Sequence, residues 1–129
     1  MTIRPARSGD EGALQALLRA HGLGHDGLDY TVWSHPCLVA VRNGEIVGMI
    51  QALAGRPYAV IIEFCVARAW QRKSVAVRLL EHLETVLRGM GCQCWMTWER
   101  KDDPVMQAYC ERWGAERTGE GIGYLRRLL

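Results

Sequence analysis

The stretch from Tyr58 to Met90 constrains this chain most. Between Tyr58 and Ala67, the residues Val60, Ile61, Ile62, Phe64, Cys65 and Val66 make a nearly continuous apolar run interrupted by Glu63. A short, β-branched run of this kind is a strand, and its lack of alternation predicts a central strand buried on both faces. After a basic turn the period changes. Val75, Ala76, Leu79, Leu80, Leu83, Val86, Leu87 and Met90 recur at helical spacing from about Arg72 onward, and Gly89 and Gly91 mark the end. A buried strand passing directly into a one-sided helix places the chain in the α/β (α+β) class, a sheet flanked by helices.

The remaining segments fill in that plan. Thr2 to Ala6 reads as an edge strand, and Ser8 followed by Glu11 as a capping box opening a helix from Gly9 to His21, with Ala13, Leu14, Leu17 and Leu18 on its apolar face. His21 to Pro36 has no sustained period and reads as a loop with a short helix near Leu28 to Trp33. Leu38 to Arg42 and Glu45 to Leu53 flank Asn43-Gly44, a two-residue hairpin turn that suits residues tolerating positive φ. Cys92 to Trp98 forms a further strand. Asp103-Pro104 caps a last helix through Val105, Met106, Tyr109 and Trp113 that ends at Gly114, and Ala115 to Thr118 and Ile122 to Leu128 close the chain as strands. The 129 residues form one domain, residues 1–129, without internal repeats.

Composition excludes several classes. Hydrophobic residues make up 49% and charged residues 23%, as in globular chains that fold alone. A net charge of +2 implies neither a nucleic-acid partner nor a membrane surface, and no apolar run approaches the length of a membrane span or a signal peptide, so a cytoplasmic location is expected. Five cysteines (Cys37, Cys65, Cys92, Cys94 and Cys110) scattered in apolar segments read as reduced core thiols. Cys92-x-Cys94 has no second ligand pair, so no metal site is expected.

The chemistry gathers at the strand-to-helix junction, Val66-Ala67-Arg68-Ala69-Trp70-Gln71-Arg72-Lys73-Ser74-Val75-Ala76. Such a turn points free main-chain N–H groups and the positive helix end at one spot, which suits a phosphate. Arg72 and Lys73 add positive charge. The plain alternative is a helix that merely starts with solvated basic residues.

The turn resembles the acetyl-CoA signature of the GNAT N-acetyltransferase superfamily, Q/R-x-x-G-x-G/A, here Gln71-Arg72-Lys73-Ser74-Val75-Ala76, with Trp70 at the aromatic position before it. The resemblance extends over the capping box, the hairpin, the turn and the closing helix. It implies the GNAT fold: a central, mixed, mostly antiparallel sheet splayed at the acyl-CoA site. It also implies acetyl-CoA as co-substrate, with the amides of Gln71, Arg72, Lys73, Ser74, Val75 and Ala76 on the pyrophosphate and with Phe64, Cys65 and Val66 binding the pantetheine arm like an added strand. Two residues depart from the pattern, Ser74 for a glycine and Arg68 for a proline. Serine is expected to keep helical φ and ψ at that position.

An acceptor amine of pKa about 10.4 is only about one part in 2,500 neutral at pH 7, a penalty of about 4.6 kcal/mol, so a base is useful. Glu63 is the carboxylate of the central strand, where members of the family carry a base; the plain alternative is an ion-paired glutamate. By the family's pattern Cys110 stands where a tyrosine often protonates the leaving thiol, and Asp103 where an asparagine contacts CoA. Asp26, Asp29, Tyr30 and Trp33 in the first loop are candidates for the acceptor amine, by resemblance to where the family admits substrate. Trp95 and Trp98 read as core or dimer contacts, which leaves a homodimer open. The expected activity is transfer of acetyl from acetyl-CoA to a primary amine of a small molecule or peptide by direct attack on the thioester. The alternative is a catalytically weak acyl-CoA-binding or regulatory module.

Overall fold

The computed structural model describes residues 1–22, 35–71, 73–98, 108, 110–112, 114–117 and 123–128, the side chains at 98, 117 and 123–125 excepted. Its elements are β1 (Thr2–Pro5), α1 (Glu11–Ala20), β2 (Cys37–Arg42), β3 (Glu45–Ala54), β4 (Tyr58–Val66), α2 (Val75–Gly89), β5 (Cys94–Trp98), β6 (Glu116–Arg117) and β7 (Gly123–Arg127). Seven strands form one sheet in the order β1-β2-β3-β4-β5-β7-β6. Every neighbouring pair is antiparallel except β4 and β5. Residues 108 and 110–112 are helical, as the expected closing helix requires. The rest of that helix from Asp103 to Trp113, and the expected short helix near Leu28 to Trp33, lie outside the described residues.

The β2–β3 hairpin turns on Asn43 (φ 51°) and Gly44 (φ 79°), the positive-φ pair that its sequence predicts. The start of α1 differs from expectation. A 3-10 turn, Ser8–Asp10, precedes the helix, and the carboxylate that closes it belongs to Asp10 rather than to a Ser8–Glu11 box. Asp10 accepts the Arg7 N–H at 2.7 Å and both guanidinium donors of Arg4 at 2.8 and 3.0 Å, which ties β1 to the helix entry. The Arg4 hydrogen bond holds the Asp10 carboxyl below its ordinary range, against burial, which pushes it up.

The two helices cover opposite faces of the sheet. Leu79, Leu80, Leu83 and Leu87 of α2 are buried against Leu38, Ala40, Ile50, Ala52, Ile61 and Trp95. Each such leucine contributes about 2 kcal/mol by leaving water. Leu14, Leu17 and Leu18 of α1 cover Cys37, Val39, Met49 and Cys65 on the other face. All five cysteines are free and buried, as their apolar settings suggest. No helix among the described residues is long and apolar enough to cross a membrane.

The ends and middle of α2 are pinned separately. At its C-terminus Cys92 N–H bonds Leu87 O (3.0 Å) and Gly91 N–H bonds Arg88 O (3.1 Å), the paired arrangement that needs a left-handed residue, here Gly91 at φ 84°. In its middle the buried Glu84 takes the Trp95 Nε1–H at 2.8 Å and lies 3.4 Å from Arg126 Nε, which links α2 to β5 and β7. Removing the carboxylate leaves a buried indole N–H and a half-buried guanidinium without it. Glu84→Ala is therefore expected to lower stability by about 3 kcal/mol, and Glu84→Gln, which keeps an acceptor, by distinctly less. Thermal and denaturant unfolding of the two variants beside the parent chain checks this order.

Candidate functional site

The site begins with an extra residue. Gln51 pairs with Glu63 and Ala52 with Ile61, so Ile62 has no opposite number on β3. A bulge of this kind bends the strand and turns two successive side chains toward one face. Ile61 and Phe64 accordingly pack on the α2 side, Cys65 packs on the α1 side, Ile62 is 37% exposed and Glu63 is half-buried. The expectation that β4 is buried on both faces is thereby corrected: Tyr58 is 57% exposed, because α1 reaches only the Cys65 end of the strand.

The bulge coincides with a fork in the sheet. The parallel ladder between β4 and β5 runs from Tyr58↔Cys94 to Val60↔Met96 and stops. Beyond Val60 the edge of β4 toward β5 has no ladder partner among the described residues; one side-chain bond, from Thr97 Oγ1–H to Ile61 O at 3.4 Å, closes the apex. Residues 62–66 thus run past the end of the β5 ladder, and a strand end of this kind can accept an extended amide-bearing chain.

At the end of that edge the chain turns into α2. Gln71 Nε2–H donates to Val66 O at 3.0 Å, folding the turn against the strand end. Arg68–Trp70 forms a 3-10 turn, Gln71 is extended, and Ser74 precedes the helix. The first acceptor inside α2 is Ser74 O, bonded by Arg78 N–H at 3.1 Å, so by helix geometry the N–H groups of Val75, Ala76 and Val77 point out of its N-terminal end. Those donors and the positive end of the helix dipole can hold an anion.

Ser74 does not have the helical conformation expected of it. Its φ of 66° and ψ of 8° are left-handed, and its side chain makes no capping bond. A left-handed L-residue is strained by about 1–2 kcal/mol, part of which glycine would return to the unfolded chain as entropy. Ser74→Gly is expected to raise stability by about 0.5–1 kcal/mol, or about 2–4 °C in Tm. A melt of the variant checks this; an unchanged or lower Tm would mean that the backbone there is not left-handed in solution.

Positive charge surrounds the turn. The Trp70 ring has the Arg42 guanidinium 5.0 Å from its centroid and the Lys73 ammonium 5.3 Å away, which draws the β2–β3 hairpin end and the turn into one basic patch beside the exposed Arg68. Burial first, and then the Glu63 charge, push the Cys65 thiol up to about 12; burial and Asp10 do the same to Cys37.

Of the residues singled out from sequence, the fold brings Glu63, Phe64, Cys65, Val66, Gln71, Lys73, Ser74, Val75 and Ala76 together along one strand edge and turn. Cys110 is 4% exposed and joins the apolar cluster beneath α2. Trp95 is core. Asp26, Asp29, Tyr30, Trp33, Arg72 and Asp103 lie outside the described residues, as do Tyr109 and Trp113. Two residues were missed by sequence reading. Arg42 reaches the turn only through the hairpin, which no local pattern signals. Gln51 could have been found, as the polar interruption of the apolar run from Ile46 to Leu53.

Residues 13–115 match the family model described as the acetyltransferase (GNAT) family. No curated protein sequence is significantly similar to the chain. Among solved structures, the fold resembles the ribosomal-protein-S18-alanine N-acetyltransferase from Escherichia coli (TM-score 0.83, 18% identity, covering 98% of this chain and 93% of that one). It also resembles Ard1 from Thermoplasma volcanium (0.83, 18%, 99% and 97%). A third match is the PaiA N-acetyltransferase from Thermoplasma acidophilum in complex with coenzyme A (0.86, 13%, 98% and 98%).

Proposed function

Because the chain belongs to the GNAT acetyltransferase family, we propose that it is an N-acetyltransferase that moves acetyl from acetyl-CoA to a primary amine. The observation that carries this reading is that β4 runs past the end of its β5 ladder straight into the amide-bearing turn at α2. The residues present fit the group. The N–H groups of Val75 and Ala76, with Gln71, Lys73 and Ser74 around them, suit the pyrophosphate, for which Arg72 remains a candidate, and the part of β4 that runs past the β5 ladder, at Phe64, Cys65 and Val66, suits the pantetheine amides. Left-handed Ser74 supports this reading, since strain at such a turn keeps main-chain donors facing outward. When bound, acetyl-CoA supplies a thioester carbonyl for attack and a thiol as leaving group.

Glu63, set by the bulge on the face opposite α2, takes the proton of the acceptor ammonium, directly or through water. The Cys37 and Cys65 thiols, pushed up to about 12, stay protonated and are poor nucleophiles, which favours direct attack by the amine over an acyl group carried on either of them. Cys110 serves packing beneath α2 in this reading. The departing thiol, with a pKa near the 8.5 of free cysteine, gains little from a proton donor. Asp26, Asp29, Tyr30 and Trp33 remain candidates for the acceptor amine and Asp103 for the CoA arm. The alternative of a binding module without turnover separates from this reading by thiol release from acetyl-CoA against a panel of alkylamines, arylalkylamines and short peptides.

Two substitutions test the assignment. Ala76→Glu places bulk and negative charge at the turn and is expected to weaken CoA at least about 100-fold, with the fold retained, since a charge clash and a blocked amide each cost a few kcal/mol. Calorimetry with CoA, and a thermal melt, check this; a folded variant with unchanged affinity would move the pyrophosphate elsewhere. Glu63→Gln is expected to lower turnover most near neutral pH and to recover part of it as pH approaches the amine pKa, because free amine then needs no base. The pH profile of kcat/KM decides it: a uniform loss would assign Glu63 to positioning, and no loss would remove it from the reaction.

A further inference from the structure

Gln51 is wholly buried on β3, and neither Oε1 nor Nε2 has a hydrogen-bond partner among the described residues. Each buried polar group left bare costs about 1–3 kcal/mol, so an amide with both ends bare calls for a water molecule or a ligand group to complete it. The register sets Gln51 directly opposite Glu63 at the bulge. Directly opposed Cβ atoms lie about 4.5–5.5 Å apart, which puts a glutamine amide within reach of whatever the carboxylate holds. By strand alternation Gln51 shares its face with Met49 and, across β2, with Cys37, both apolar members of the α1-side cluster. The acceptor chemistry proposed above uses Glu63 from this face and leaves Gln51 unaccounted for.

We propose that Gln51 is a positioning residue for the acceptor reaction: its side-chain amide and the Glu63 carboxylate together hold the water through which the amine's proton leaves. The proposal rests on the assignment of Glu63 as base. Oε1 of Gln51 accepts one O–H of the water and fixes its direction; the other O–H points to Glu63, and the oxygen lone pair is left for the ammonium proton. As that proton arrives, the water passes one of its own to the carboxylate. The amine ends neutral, Glu63 ends protonated, and the water is restored, so no further reactant is needed. The water so held donates an O–H to the carboxylate, which favours its ionised form.

Among the described residues, the titratable side chains that share or border this face include Cys37 and Cys65, pushed up to about 12 by burial, Cys94 on β5, also pushed up by burial, and Tyr58 at the start of β4. Asp10 at the α1 entry is bonded to Arg4, and His35 Nδ1 accepts the Ala54 N–H at 3.4 Å. A His35→Gln control separates any contribution of its imidazole to the pH profile.

The test uses Gln51→Met and Gln51→Leu, which fill similar space without polar atoms, with acetyl-CoA and the fastest acceptor of the amine panel. Expected are a Tm equal to or above that of the parent, unchanged CoA affinity by calorimetry, a fall of at least about tenfold in kcat, and an acid limb of kcat/KM moved up by about half a pH unit or more. An unchanged kcat and acid limb would overturn the proposal. A Tm lower by more than about 5 °C in both variants would also overturn it, since the amide would then be satisfied within the fold. If the parent chain binds CoA but acetylates no member of the panel, the enzymatic reading fails first and this proposal falls with it; a parent that turns over while the variants match it sinks Gln51 alone.

Discussion

The insertion of Ile62 opposite the Gln51–Ala52 step is the constraint on which the rest of the site depends. A strand in regular register would keep alternating faces and could continue its parallel ladder with β5. The extra residue bends β4 just where that ladder stops, beyond Val60, and so turns residues 62–66 away from β5. The same residue changes which way Glu63 faces. With Ile61 fixed in the α2-side core, Ile62 and Glu63 both turn toward the other face, and the alternation resumes with Phe64 inward. The divergence of β4 from β5 and the carboxylate beside it are thus two results of one backbone irregularity.

The edge is useful only because α2 begins at its end. That placement rests on the leucines that fix the helix to the sheet, on the Glu84 bonds to Trp95 and Arg126, and on the Gly91 terminus. These contacts lie away from the turn and leave its main-chain donors out of the core. The strain at Ser74 is sustained by the same packing, since a well-anchored helix can hold one unfavourable residue at its entry at about 1–2 kcal/mol. Stability and site geometry are coupled through the helix, so a substitution at Glu84 bears on both.

Much of this plan is legible in the sequence, and the parts that are not share a cause. Asn43-Gly44 announces its hairpin because its φ requirement is local, and the period from Val75 to Leu87 announces α2 because one face is buried along its whole length. Gln71 to Ala76 marks the turn by the family's pattern. What escapes are features set by contacts distant in sequence. The bulge is invisible in a run as apolar as Val60 to Val66, since Ile61 and Ile62 look alike and differ only in which face claims them. Ser8 has the better capping sequence, yet Asp10 closes the helix because Arg4 comes within 2.8 Å from β1. Left-handed Ser74 follows from how the turn must join strand to helix, which serine's local preference opposes.

The central claim is that the end of β4 beyond the β5 ladder and the N-terminal amides of α2 form one binding surface for the acyl-CoA arm. Residue-resolved amide hydrogen exchange, with and without saturating CoA, measures it directly. The account predicts joint protection of amides within residues 62–66 and at Val75 and Ala76, with little change in β1 and β2. Protection confined to the turn, or falling on strands away from β4, would contradict it.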